Sequence, residues 1–136
     1  MKEITEEHKK RVQRALERGF NGHIGIKLVD LAPNEAVVST DMRDELRQPH
    51  GFLHGGVTAT LIDTAMAFAV ITCLEDDERA VTVDLNVYYL RPHIDGDVIC
   101  SAKVIKAGRR LFTVTGEMLD SEGKLLATAL STYSKI

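Results

Sequence analysis

Between Arg47 and Glu75 the sequence holds one formally charged side chain, the carboxylate of Asp63. It lies in the run His54-Gly55-Gly56-Val57-Thr58-Ala59-Thr60-Leu61-Ile62-Asp63-Thr64-Ala65-Met66-Ala67-Phe68-Ala69-Val70. Burying an ionised carboxylate is costly unless it is paired or hydrogen-bonded. A lone acid in so apolar a stretch, led in by His-Gly-Gly, therefore points to chemistry rather than to simple core. The unpaired N–H groups at the start of a helix, strengthened by its dipole, form a site for a developing negative charge. Glycine lets a ligand approach that backbone closely. The oxyanion of a tetrahedral acyl intermediate is a charge of this kind. Upstream, Gln48 offers a side-chain amide that can donate to a carbonyl or orient a water. Asp63 lies eight residues beyond Gly55, about 12 Å along one helix. The two cannot both touch one carbonyl carbon from a single helix. Either they serve separate purposes, or a second copy of the helix supplies the missing group across a two-fold dimer. His50 and His54 have the i,i+4 spacing of helical metal ligands, but Pro49 and Gly51 argue against a helix there and no third ligand stands out, so no metal is expected.

The apolar stretch reads as a helix from about Gly55 to Thr72, roughly 27 Å long and hydrophobic nearly all round, so it should be enclosed. Met66 and Phe68 fit its core better than a ligand pocket. Thr5 to Arg18 reads as a capped surface helix with Val12, Ala15, Leu16 and Phe20 on one stripe and Gly22 as its stop. Ile24 to Leu31 and Ala36 to Thr40 read as strands about an Ala32-Pro33-Asn34-Glu35 turn. Ala80 to Leu90 alternates, with Val81, Val83, Leu85, Val87 and Tyr89 facing one way and Thr82, Asp84, Asn86 and Tyr88 the other. Val98 to Lys106, Leu111 to Leu119 and Leu125 to Ser134 follow, and the short turns between these four runs imply an antiparallel meander. The picture is an α+β layer arrangement of one long helix and about six strands.

The totals agree with one soluble domain over residues 1–136, with residues 1–20 as an N-terminal helix. The net charge of −3 gives no support for a nucleic-acid partner. Cys73 and Cys100 lack CxxC spacing and sit in apolar runs, so both are expected to be reduced and buried. Val57 to Leu74 is long enough to suggest a membrane span, but it carries Asp63 and four threonines without flanking anchors. The start, Met1-Lys2-Glu3-Ile4-Thr5-Glu6-Glu7, is charged and lacks the apolar region of a leader, which makes the cytoplasm the expected address.

The run from His54 to Asp63 resembles the helix signature of the hotdog-fold acyl-CoA thioesterases, in the phenylacetate-pathway (PaaI-like) branch. Val83-Asp84-Leu85-Asn86-Val87-Tyr88-Tyr89-Leu90-Arg91-Pro92 is similar to that branch's strand after the helix. The likeness spans about Asn21 to Ser134. It implies a hotdog fold, an antiparallel sheet of about six strands wrapped around a long central helix. It implies hydrolysis of acyl-CoA thioesters, with Asp63 as general base or nucleophile and the Gly55 N–H as oxyanion donor. Gln48 matches the position holding Asn or Gln, and His54 matches the histidine near the thioester. Thr82 falls where some members have a serine that helps position the water. Gln48, His54 and Gly55 would come from one subunit, with Asp63 and Thr82 from its neighbour, in a dimer or dimer of dimers. Gly56, Asn86 and Tyr88 complete the expected substrate-binding set, with Arg91, Arg109 and Arg110 for the CoA phosphates. Lys103 and Lys106 lie on the same strands. No cofactor is expected, since CoA is part of the substrate. A hydratase or dehydratase of this fold needs a histidine paired with an acid in a different loop context. A non-catalytic acyl-CoA sensor usually brings a DNA-binding segment. Neither feature is found in the sequence.

Overall fold

The computed structural model describes residues 3–136; Met1 and Lys2, the start of the charged N-terminal stretch, lie outside the described residues. Thr5 caps helix α1 (Glu6–Glu17): its hydroxyl accepts from the His8 N–H, and the His8 ring accepts the Thr5 N–H in return. His8 Nε2 reaches the Leu74 carbonyl at 2.9 Å, which pins α1 over the far end of the long helix. Val12 is buried, with Ala15 and Leu16 packed beside it. Phe20, placed on the same stripe by periodicity, is instead 62% exposed. The chain leaves α1 extended at Arg18, Gly19 takes φ 58°, and a separate short helix α2 (Gly19–Ile24) begins. Gly22 lies inside α2, and the stop is Gly25, whose left-handed φ of 82° suits glycine. This is why strand β1 (Lys27–Ala32) begins later than the apolar Ile24 suggested.

Strand β2 (Glu35–Thr40) pairs back on β1. After a 3-10 turn (Asp44–Leu46) and a tight loop comes α3 (Gly55–Ile71), roughly 26 Å long. Strands β3 (Ala80–Tyr89), β4 (Val98–Ala107), β5 (Leu111–Asp120) and β6 (Leu125–Lys135) complete the chain. All pairings are antiparallel and give one six-stranded sheet, in the order β1-β2-β4-β5-β6-β3. The last three strands form the meander that their short turns imply. Strand β3 does not: it pairs with β6, not β4, and forms the far edge of the sheet. Residues 90–97 are therefore a crossover rather than a hairpin turn. The crossover is tied to the loop before α3, because Leu53 N–H donates to the His93 carbonyl and Arg47 reaches the Ile94 carbonyl and the Asp95 carboxylate.

Helix α3 packs against the sheet and touches all six strands, the arrangement of sheet around helix that the resemblance implies. Leu61, Ile62, Ala65, Met66, Phe68, Ala69 and Val70 are buried there, so Met66 and Phe68 are core. Gly116 on β5 permits the close approach: a Cβ there would stand 2.9 Å from Met66 Cε and 3.0 Å from Ile62 Cγ2. The helix is not enclosed all round, however. Ala59, Thr60, Asp63, Ala67 and Ile71 form a half-open stripe at helical spacing. Among the described residues no helix is long and apolar enough to cross a membrane. Cys100 is buried, and burial pushes its thiol well above the ordinary value. Cys73 is only half-buried rather than core, with its thiol 2.9 Å from Asn34 Oδ1.

Candidate active site

Asp63 sits on the half-open stripe of α3 and is held by two hydroxyls. Thr82 Oγ1 donates to Asp63 Oδ1 at 2.9 Å, and the Tyr133 hydroxyl donates to the same oxygen. That hydroxyl also lies 2.7 Å from the Asp63 backbone carbonyl oxygen. Among the described residues no donor reaches Asp63 Oδ2. Burial, and then the adjacent carboxylate, push the Tyr133 phenol far above its ordinary range, so it stays protonated and serves as a donor. Simple alternation put Thr82 on the face of Asp84, Asn86 and Tyr88. A β-bulge overturns this: Thr82 pairs with Tyr133 and Asp84 with Thr132, leaving Val83 unopposed. Thr82 thereby reaches the helix side of the sheet, where Leu85 and Val87 also pack. The bulge is braced by Asp84, whose carbonyl accepts from Ser131 Oγ and whose carboxylate accepts the Thr132 N–H.

The N-terminal end of α3 carries a second cluster. His54 is the N-cap of the helix, and its Nδ1 accepts the Gly56 N–H at 2.8 Å. The Gly55 N–H has no acceptor among the described residues. Tyr89 lies against Gly55: its hydroxyl donates to the Gly55 carbonyl at 2.6 Å, and its ring stands about where a Cβ would touch it. Gln48 Oε1 accepts the N–H groups of His50 and Phe52, which folds the tight loop and leaves the amide nitrogen without an acceptor among the described residues. Gln48, Gly55, Tyr89 and Arg91 line one cavity of about 350 Å³. Arg47 braces the loop behind Gln48 through the Gly51 carbonyl, Asp44 and Asp95, and the latter two carboxylates raise its pKa further.

The structure thus divides the expected residues into two groups. Asp63 and Thr82 meet at the middle of α3, and Gln48, Gly55 and Arg91 meet at its N-terminal end. The intervals are about 12 Å along the helix and roughly 23 Å along β3. His54 and Gly56 border a different cavity, with Phe20, His23 and Val57. Asn86 and Tyr88 lie on the sheet face turned away from α3 and join neither group; Asn86 Nδ2 is 3.5 Å from the Leu130 carbonyl and Tyr88 is exposed. Arg109 and Arg110 are exposed on the β4–β5 turn. The Arg110 carbonyl accepts the Lys135 N–H, which places this turn at the Thr82 end and not beside Arg91. Two residues that the structure places against Asp63 and Gly55, Tyr133 and Tyr89, are not among those the sequence singles out. Tyr133 had a usable signal, since a tyrosine in an apolar strand needs a hydroxyl partner and Asp63 needs donors. Tyr89 alternates with the apolar face of its strand, and nothing in its spacing marks it.

Residues 50–127 match the thioesterase superfamily. Human acyl-coenzyme A thioesterase 13 is 35% identical over 113 residues, which is 81% of this chain and 80% of that protein. A thioesterase from Haemophilus influenzae superposes with a TM-score of 0.89 at 27% identity, covering 99% of this chain and 92% of the other. The phenylacetic acid degradation protein PaaI of Thermus thermophilus, in a mutant form, has 33% identity and a TM-score of 0.79, covering 86% of this chain and 98% of the other. With this sheet, this helix and these likenesses together, the chain belongs to the thioesterase superfamily, as a hotdog-fold thioester hydrolase of the PaaI-like branch.

Proposed function

We propose that the chain hydrolyses acyl-CoA thioesters in sites shared between two copies, each site combining Gly55 and Gln48 of one copy with Asp63 and Thr82 of the other. The observation that carries this reading is the pairing of an open donor, the Gly55 N–H, with an open acceptor, Asp63 Oδ2, too far apart in one chain to act together. Two further features support it. Strand β3 ends the sheet with a free edge flanked by exposed Val81, Val83 and Tyr88, and the small-residue stripe of α3 is left half-open. A two-fold axis through the middle of β3 would set the Thr82 end of one strand beside the Tyr89 end of the other.

The thioester carbonyl oxygen then lies against the Gly55 N–H at the positive end of α3, with the Gln48 amide as a second donor. Asp63 Oδ2 takes a proton from water as the water oxygen adds to the carbonyl carbon, or adds to that carbon itself to give an anhydride that water opens. Thr82, whose proton is committed to Asp63 Oδ1, presents its lone pairs to the water. The tetrahedral intermediate expels CoA as its thiolate, a leaving group that needs little protonation at an ordinary thiol pKa of about 8.5. Arg91 at the cavity mouth, with Arg109 and Arg110 from the other copy, is placed for the CoA phosphates. The reading includes a reducing, cytoplasmic setting, which the two unlinked thiols suit.

The test is thiol release from a panel of acyl-CoA and acyl-carrier thioesters. Asp63→Asn should lower kcat by about 100-fold or more with the fold intact, on the scale of a lost general base or nucleophile. Turnover within twofold of wild type would remove Asp63 from the mechanism. Incorporation of ¹⁸O from labelled water into Asp63 in a single turnover identifies direct attack, with water opening the anhydride at the aspartyl carbon; trapping of the acyl group on Asp63 identifies it when water opens the acyl side.

A further inference from the structure

We infer that Tyr133 is a positioning residue for the reaction, fixing Asp63 so that Oδ2 alone faces the substrate; this rests on the proposed role of Asp63. Three observations carry it. The Tyr133 side chain is 2% exposed and enters from β6, an element that supplies none of the other residues of the site. Its single hydroxyl meets both Oδ1 and the backbone carbonyl of the same aspartate, so it fixes the carboxylate relative to the helix that carries it. The register then matters: the bulge at Val83 brings Thr82 directly opposite Tyr133, so both donors converge on one oxygen.

A carboxylate on a half-open helix face is otherwise free to rotate and exchange its two oxygens. With Oδ1 occupied twice, the remaining lone pairs of Oδ2 point in one direction. The phenol does this without taking part in proton transfer, because burial keeps it protonated. Its ring also belongs to the buried core, so the ring is held by packing as well as by the hydrogen bond.

The experiment compares wild type with Tyr133→Phe and with 3-fluorotyrosine or 3,5-difluorotyrosine placed at 133, using Asp63→Asn as the reference. Tyr133→Phe should lower the plateau kcat about tenfold with KM within twofold, and move the acidic limb of the kcat profile to higher pH by about one unit, since a donor to the charged form is lost. The fluorinated phenols keep the shape and donate more strongly, so the limb should move to lower pH in order of phenol acidity. They also keep the test decisive if the phenylalanine variant folds poorly. If Asp63→Asn is inactive yet Tyr133→Phe retains full kcat, or the limb stays fixed across the fluorinated series, Tyr133 is only a packing residue and the inference fails. If Asp63→Asn itself retains activity, the underlying reading fails with it.

Discussion

Gly55 stands at the first position of α3, where an N–H can be removed without disturbing the helix. His54 before it has φ −61° and ψ 132°, a conformation that a residue preceding proline adopts readily. Proline is itself favoured at the first helical position. Gly55→Pro should therefore delete the proposed oxyanion donor while leaving the thermal transition nearly in place, and lower kcat by about 100- to 1,000-fold. Unchanged kcat in a folded Gly55→Pro protein would remove this N–H from the site. At this scale the sequence was legible wherever one residue stood out against its surroundings. Asp63 is conspicuous because it is the only charge in its run, and Gly55 because glycine begins the helix. Thr82 was found by resemblance, but its orientation depends on a bulge that alternation cannot show. Asn86 and Tyr88 shared a face with Thr82 on paper, and the same bulge separates them from it.

The elements themselves were nearly all readable, since hydrophobic period and turn residues are local properties. The errors fall where a local signal competed with a longer-range one. Gly22 and Gly25 are both plausible stops, and only the packing of α2 selects the second. Strand β3 precedes the short His93-Ile94-Asp95-Gly96 segment, which suggests a hairpin to β4, but pairing with β6 across the sheet wins, and Leu53 and Arg47 anchor the crossover. One element contact has a direct test. Gly116→Ala would drive a Cβ into Met66 Cε and Ile62 Cγ2. Met66 can yield, but the branched Ile62 cannot readily, so the variant should lose about 1–3 kcal/mol in chemical denaturation. A second concerns the β5–β6 turn, where the Asp120 carboxylate accepts the Lys124 and Glu122 N–H groups and is held below its ordinary value of 3.8, chiefly by the Lys124 N–H. A carboxyl whose pKa is depressed on folding stabilises the protein above its unfolded pKa, and that contribution is lost as pH falls through the folded value. Melting curves between about pH 4.5 and pH 2.5 should thus show a shallower loss of stability in Asp120→Asn than in wild type.

For the molecule as a whole, Gly55 begins the long helix and Asp63 stands at its middle, about 12 Å on, and the geometry of a single chain cannot bring the two to one carbonyl carbon. The sequence carried this conclusion as far as the spacing allowed, because eight helical residues already exceed the reach of one carbonyl group. The direct measurement mixes two inactive chains. Co-refolded Gly55→Pro and Asp63→Ala chains form mixed dimers, each with one site built from an intact Gly55 and an intact Asp63. With random pairing, half of the dimers are mixed and one of their two sites works, so the sample should recover roughly a quarter of wild-type turnover. Mixed dimers confirmed by native mass spectrometry that stay as inactive as their parents would contradict a site shared between two chains.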